Sequence, residues 1–335
     1  MRRFTLTVVY AFLTLILLTP TTHADQVETP LPSPYGQGTY VPTSRGHIYY
    51  EADGEGTPVI LINGGPGASR TVFWGALDFL KTEGYMIVYF DETGVGRATR
   101  EINEEFSPHI TVEDIETLRS HLGAEKIILA GHSYGGVPAL QYAVKNPHNV
   151  EKLLMLSASI DATSQQMNVD AAAYLRKTFF PIEWEEMERM RADGILTSDK
   201  EYLRKFTERK IGDASDWHDP QKRASLRKYR SHDPRDRSNF DVYLDIAGED
   251  AEVEITGTLS TVSMSALQLE GFSVPTLILN GRMDWKTTPE MAYRFYKMLP
   301  KGIGQLAFLE RTGHWTWAEE PELFEELITE FIAQK

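Results

Sequence analysis

A serine sits at the centre of Gly131-His132-Ser133-Tyr134-Gly135-Gly136. The apolar run Lys126-Ile127-Ile128-Leu129-Ala130 precedes it, and the helix-like stretch Val137-Pro138-Ala139-Leu140-Gln141-Tyr142-Ala143-Val144 follows. The pattern predicts strand, sharp turn and helix, with Ser133 at the apex. Glycines two before and two after the serine allow a turn tight enough to hold a strained residue. A hydroxyl placed there projects into open space, and the next helix aims its free N–H groups and positive dipole end at it. The chemistry this suits is nucleophilic attack. A bare Gly-x-Ser-x-Gly arises by chance about 0.1 times in a chain of this length. A glycine turn with an incidental serine is the plainer alternative, and the flanking strand and helix argue against it.

A serine hydroxyl is a weak nucleophile. It needs a general base, and the base needs an acid to orient it. On a sheet of this kind the chain order is Ser, acid, His. Asp284 lies in Asn280-Gly281-Arg282-Met283-Asp284, just past the apolar run 276–280, and His314 lies in Thr312-Gly313-His314-Trp315, past the run 305–309. Alone, such an Asp is most often a helix cap and such a His most often structural. Together they follow the required order on the strand edge that carries Ser133, where loop residues converge on one crevice. Asp91 also follows a strand, but its setting in Phe90-Asp91-Glu92-Thr93-Gly94-Val95-Gly96-Arg97 suggests a carboxylate that shapes a turn. The His132 side chain is expected to point away from the site.

Acyl transfer also requires preorganised N–H groups for the oxyanion. One is expected from Tyr134, the residue after the serine. The second is expected from Asn63-Gly64-Gly65-Pro66-Gly67, directly after the apolar run 59–62. Pro66 cannot donate, so Gly65 is the chosen donor; an ordinary glycine turn is the alternative.

The elements that would position these groups form a regular rhythm. Runs 48–51, 59–62, 85–90, 126–130, 153–156, 276–279 and 305–309 predict strands. Segments 71–82, 111–122, 134–145, 288–299 and 320–332 predict helices, with Thr111 and Asp114 as a weak capping box. Short apolar strands alternating with amphipathic helices imply an α/β fold, a mostly parallel central sheet covered on both faces. Residues 161–271 break the rhythm. They are rich in Glu, Arg and Lys, show helical periodicity and contain no continuous buried strand, which predicts an inserted helical cap. The core is then 39–160 with 272–335, and 25–38 reads as a flexible leader.

These residues resemble the α/β-hydrolase superfamily. Asn63-Gly64-Gly65-Pro66-Gly67 is similar to the His-Gly-Gly-Pro-Gly motif of the proline iminopeptidase group, and Asp91 to Arg97 resembles that group's Asp-Gln-Arg-Gly-x-Gly-Arg stretch. Gly313-His314 followed by Glu320-Pro321 is also typical. The resemblance covers about 40–160 and 272–333. It implies the α/β-hydrolase fold, a Ser133–Asp284–His314 triad and acyl-enzyme hydrolysis of an ester or amide. Asn63 stands where the motif has histidine, and Glu92-Thr93 where it has Gln-Arg. Iminopeptidases of this group are thought to grip the free amino end of the substrate with a cap tryptophan and glutamates. Glu183-Trp184-Glu185-Glu186 is the nearest candidate, and a solvated acidic helix face is its plainer reading. Trp315 and Trp317 read equally as pocket lining or core.

The N-terminus carries Arg2 and Arg3, no charged residue from 4 to 24, and an apolar centre at 8–18. With Ala24 at the end, these are the parts of a secretory signal peptide of residues 1–24, too short in its apolar core for a membrane span. Its loss leaves 32 basic against 48 acidic residues, a net charge of −16. Such a surface repels nucleic acid and anionic lipid. The chain has no cysteine, which excludes disulfides and a lipoprotein anchor. No metal-ligand motif occurs, so no metal or other cofactor is expected. The basic run from Lys222 to Arg230 reads as a solvated helix face or an anion site. The sequence as a whole points to an exported serine hydrolase, periplasmic or secreted, acting on a short peptide or small molecule. An aminopeptidase stands slightly ahead of a carboxylesterase, and a catalytically silent binding protein on the same fold is a remote third.

Overall fold

The computed structural model describes residues 33–101, 104–202, 215–227, 231 and 233–334. The expected signal peptide, residues 1–24, lies outside them. Eight strands form one sheet: β1 (Thr39–Thr43), β2 (Gly46–Asp53), β3 (Thr57–Ile62), β4 (Tyr85–Asp91), β5 (Ile127–Ser133), β6 (Val150–Ala158), β7 (Thr276–Gly281) and β8 (Gly304–Leu309). Their order is β1-β2-β4-β3-β5-β6-β7-β8. β1–β2 and β2–β4 pair antiparallel; from β4 to β8 every pair is parallel.

The apolar strands alternate between two cores. Ile60, Val88 and Leu129 face one side and pack with Ile115 and Leu118 of α1 (Pro108–His121), Leu140 of α2 (Gly136–Lys145) and Phe295 nearer the C-terminus. Val59, Ile87 and Ile128 face the other side and pack with Phe73, Leu80, Phe324 and Ile328. All of these strand residues are fully buried. Each such side chain stabilises the fold by about 1.5–3 kcal/mol relative to exposure. Burial on both faces explains why the central strands read as continuous apolar runs.

Three local expectations are corrected. Residues 71–82 do not form an α-helix but two 3₁₀ segments, Arg70–Phe73 and Asp78–Glu83. Gly75 lies between them at φ 84°, a left-handed conformation that ends helical propagation. The helix expected at 111 begins at Pro108, with Ser107 as N-cap and proline in the first turn. Thr111 and Asp114 are therefore interior, and their side chains bond Glu92 and Thr93 instead of forming a capping box. The helix expected from 134 starts at Gly136, leaving Tyr134 and Gly135 in the turn.

Between β6 and β7 the described residues form helices and turns: α3 (Ala162–Phe179), α4 (Pro181–Ala192), α5 (Arg223–Arg227) and α6 (Phe240–Ala247). α3 begins with a capping box in which Asp161 accepts from Ser164 N at 2.8 Å. Val242, Ile246 and Leu259 of this insert pack on Tyr134, Val95 and Phe106. After β7 come α7 (Pro289–Met298), α8 (Thr316–Glu319) and α9 (Pro321–Ala333). Within the expected leader, Tyr35 is docked: its hydroxyl donates to Asp78 at 3.1 Å and accepts from Gly75 N at 2.8 Å. No helix among the described residues is long and apolar enough to cross a membrane.

Candidate active site

Ser133 ends β5 at φ 54°, a left-handed conformation rare for a residue with a side chain. The neighbouring glycines are dictated by space. A Cβ at Gly131 would lie 2.8 Å from Gly135 O, and one at Gly135 would run into Ile62 O and Asn63 O. The turn is closed by Gly135 N donating to His132 O at 2.8 Å and by Ser159 N donating to Ser133 O at 2.9 Å. The strained serine is thus held by packing on both sides of the turn.

The loop after β3 approaches this turn. A Cβ at Gly64 would lie 2.8 Å from Ser133 Cβ. Asn63 fixes the loop by donating its side-chain amide to Phe90 O at 2.8 Å. Gly65 is exposed at φ 77°. Neither the Gly65 nor the Tyr134 amide donates to an acceptor among the described residues. Two N–H groups are therefore available beside the serine. The Tyr134 side chain turns the other way: its hydroxyl is buried without a partner among the described residues, and burial, then Glu92, raises its pKa well above the ordinary value.

Asp284 and His314 meet across β7 and β8. The imidazole Nδ1 lies 2.9 Å from Asp284 Oδ2, and both residues are buried. Lys286 N and Thr287 N donate to Asp284 Oδ1 at 2.8 and 2.9 Å. Thr287 Oγ1 donates to Asp284 Oδ2 at 2.6 Å and stands 3.3 Å from His314 Nδ1. The carboxylate is compensated by three donors besides the imidazole, and among the described residues no Lys or Arg pairs with it. Sequence reasoning missed Thr287; the signal was a hydroxyl residue three positions after a loop aspartate. Ser133 Oγ has no hydrogen bond among the described residues, a looseness common in sites without substrate.

His132 does not stand apart as expected. Its ring centroid is 4.7 Å from that of His314, and it stacks on Trp315 at 5.3 Å. Its Nε2 is 3.2 Å from His314 O, an arrangement that requires the proton on Nε2. Burial, reinforced by His314, pushes its pKa well below the ordinary value and keeps the ring neutral. The reason is the sheet: successive side chains alternate, so the one before Ser133 enters the aromatic layer beneath the His314 loop. Trp315 and Trp317 belong to that layer, with Trp315 stacked on Trp217 at 6.0 Å and Trp317 near Phe73 at 5.6 Å.

Asp91 shapes a turn, as its setting suggests, and does more. It accepts from Arg97 N at 2.9 Å, from Arg70 N at 2.8 Å and from the Arg70 guanidinium at 2.6 Å. Fully buried Arg70 also pairs with Glu51 at 2.7 Å and Asp236 at 3.0 Å, and Arg97 pairs with Asp236 at 2.6 Å. This buried charge cluster ties the insert to the loop carrying Gly65. Asn239 strengthens the tie, its N donating to Gly67 O at 2.8 Å and its side chain to Gly94 O at 2.7 Å. Nothing local in the sequence announced it.

Glu183, Glu185 and Glu186 lie on α4, which packs on α3. Glu185 is exposed and the other two are half-buried. No hydrogen bond or ion pair among the described residues links them to Ser133, Asp284 or His314. Of the basic run, Lys222 donates to Glu319 O, and residues 228–230 lie outside the described residues. No group of His, Asp or Glu able to hold a metal occurs among the described residues.

The sequence matches a family model for the alpha/beta hydrolase fold over residues 57–321. Among curated relatives, the proline iminopeptidase of Clostridioides difficile is 26% identical over 306 residues, covering 88% of this chain and 97% of that protein. That of Thermoplasma volcanium is 26% identical over 311 residues, covering 88% and 95%. Among solved structures, the Mycobacterium smegmatis proline iminopeptidase superposes with TM-score 0.69 at 21% identity, covering 88% of this chain and 97% of that one. VinJ superposes with TM-score 0.72 at 24% identity, covering 89% and 99%.

Proposed function

Because the chain belongs to the α/β-hydrolase fold family, we propose that it is a serine hydrolase in which Ser133, His314 and Asp284 work as nucleophile, base and orienting acid. The observation that supports this most is the buried 2.9 Å His314–Asp284 bond on the strand edge where Ser133 is held at φ 54°. In this reading Ser133 Oγ attacks the scissile carbonyl carbon while its proton passes to His314 Nε2. The oxygen that gains the electron pair accepts hydrogen bonds from Gly65 N and Tyr134 N. Collapse of the tetrahedral adduct expels the amine or alcohol, which takes the proton from the imidazole. Water activated by the same imidazole then releases the acid and regenerates Ser133.

The substrate in this reading is a short peptide with a free amino end, and the enzyme is a proline-iminopeptidase-like aminopeptidase. The similarity to curated proline iminopeptidases over 88% of this chain supports that choice. Burying an ammonium is costly unless a carboxylate receives it. Glu183, Glu185 and Glu186 of the helical cap are the carboxylates to neutralise first, and Asp216, held 3.0 Å from Lys286 Nζ, is the next. A prolyl or alanyl arylamide with a free amine should be cleaved at least ~30-fold faster than its N-acetyl form, about 2 kcal/mol. Equal rates, or turnover of p-nitrophenyl esters alone, would make it a carboxylesterase. Failure of a fluorophosphonate to label Ser133 would make it a silent binder. We place the enzyme outside the cytoplasm, with the mature chain starting at Asp25. Mass spectrometry of the exported protein tests that, and a persistent Met1 refutes it.

A further inference from the structure

Among the described residues the insert meets the Asp284 and His314 loops at segment 215–219, with Lys222 reaching Glu319 O just beyond it. His314 N donates to Asp216 O at 2.7 Å, and Trp285 N to Ser215 O at 3.4 Å. Lys286 Nζ, two residues from Asp284, pairs with Asp216 Oδ1 at 3.0 Å, and Trp217 stacks on Trp315 at 6.0 Å. The segment lies so close that a Cβ on Gly313 would overlap Asp216 O.

One side chain joins this strap to the His314 loop. Glu319 is 1% exposed. Its Oε2 accepts from Gly313 N at 2.6 Å, one residue before His314, and its Oε1 accepts from Asp219 N at 2.7 Å. One buried carboxylate thus spans core and insert. The amide of His314 itself is held by the strap. The imidazole then has two anchors: Asp284 at the ring and the strap at the backbone.

We propose that Glu319 is a positioning residue for His314, clamping the strap 215–219 to the base's loop so that the insert and the base hold one geometry. This rests on the reading of His314 as the base. Glutamine at 319 keeps one acceptor but turns an NH₂ toward the other backbone N–H, opening the clamp with little change in volume. Gly313→Ala opens it from the other side by displacing Asp216 O.

The test measures two quantities on full-length Glu319→Gln and Gly313→Ala. One is the downfield proton resonance of His314 Nδ1–H in its bond to Asp284, identified by its loss in His314→Ala. The other is kcat and KM on the best arylamide or ester. Both variants should broaden or lose the resonance and lower kcat at least ~10-fold with KM within ~2-fold. Melting should stay within about 5 °C of wild type. A sharp wild-type-like resonance with kcat within ~2-fold in both variants overturns the proposal. So does unfolding of both, which would make Glu319 a residue that holds the fold, and so does the absence of the resonance from wild type. If wild type hydrolyses nothing while the variants still lose the resonance, the functional reading fails and the clamp stands.

Discussion

The two flanks of Ser133 are built on opposite electrostatic plans. On the β7–β8 flank the buried carboxyl group of Asp284 meets dipoles among the described residues: two backbone amides, the Thr287 hydroxyl and the His314 ring. On the β3–β4 flank the charges meet charges. Arg70 is enclosed by Glu51, Asp91 and Asp236, with Arg97 closing the cluster from outside. In the proposed mechanism, the first plan leaves the carboxylate free to respond when the imidazole gains a proton. In the second plan every charged group touches an opposite charge, and the cluster joins the Gly65 loop to the insert. A buried ion cluster gains little net stability over apolar packing, but breaking it is expensive. Substitutions on the first flank should therefore act on rate, and those on the second on folding.

The largest effect is expected from Asp284→Asn. The amide favours the wrong imidazole tautomer, so kcat should fall by up to ~10⁴-fold with the melting temperature nearly unchanged. Steady-state kinetics beside a thermal melt checks both halves; near-wild-type turnover would mean that another residue orients His314. Next is Arg70→Met, which leaves buried Glu51 and Asp91 without a cation while Asp236 keeps Arg97. Urea unfolding should show a loss of about 3–5 kcal/mol. A loss below ~1 kcal/mol would erase the contrast between the flanks.

A smaller effect of opposite sign is expected from Glu92→Gln. Burial pushes Glu92 from its ordinary 4.5 up to about 8, with Thr111 opposing. The folded state thus holds this proton more tightly than the unfolded state. Stability from this group is full below about pH 4.5 and is lost as pH rises toward 8. Glutamine cannot ionise, so the variant should outlast wild type at pH 8 by on the order of 2 kcal/mol and match it near pH 5. Melting curves across that range decide it, and parallel curves for the two proteins would refute it. The mildest effect belongs to Thr287→Val, which removes one of the dipoles on Asp284. A drop of ~10-fold in kcat, about 1.4 kcal/mol, is expected at constant KM, with recovery in Thr287→Ser. Failure of serine to restore the rate would reduce Thr287 to a packing role.

Much of the α/β fold was legible because its signal is local. Val59 to Ile62 and Ile127 to Ala130 are buried on both faces, so each strand announces itself by composition alone. Gly131, Ser133 and Gly135 were legible because a tight turn admits few residues. The meeting of Asp284 and His314 could be anticipated from order and edge, but not the detail that Thr287 shares the carboxylate. The Arg70 cluster was invisible for a plain reason. Arg70 and Asp236 lie 166 residues apart and have no period in common. The 71–82 segment misled because its apolar spacing suits a helix, while Gly75 at φ 84° forbids one. The contact of His132 with His314 was not legible because its aromatic surroundings, Phe73, Trp315 and Trp317, come from distant segments of the sequence.

The position of the insert also has a consequence for how the chain reaches its folded state. β6 and β7 pair directly, Leu153 beside Thr276, yet everything from Ser159 to Pro275 must be made between them. At synthesis rates of about 5–20 residues per second, that leaves the apolar edge of β6 unpaired for on the order of 10 s. Strand edges of this kind recruit other chains when left open. The β1–β6 half of the sheet is thus complete on one side and adhesive on the other until Thr276–Gly281 arrives. A nascent chain that stalls within the insert would expose Leu153, Leu154 and Leu156 together, and a chaperone or translocation factor that covers apolar strands has its natural target there.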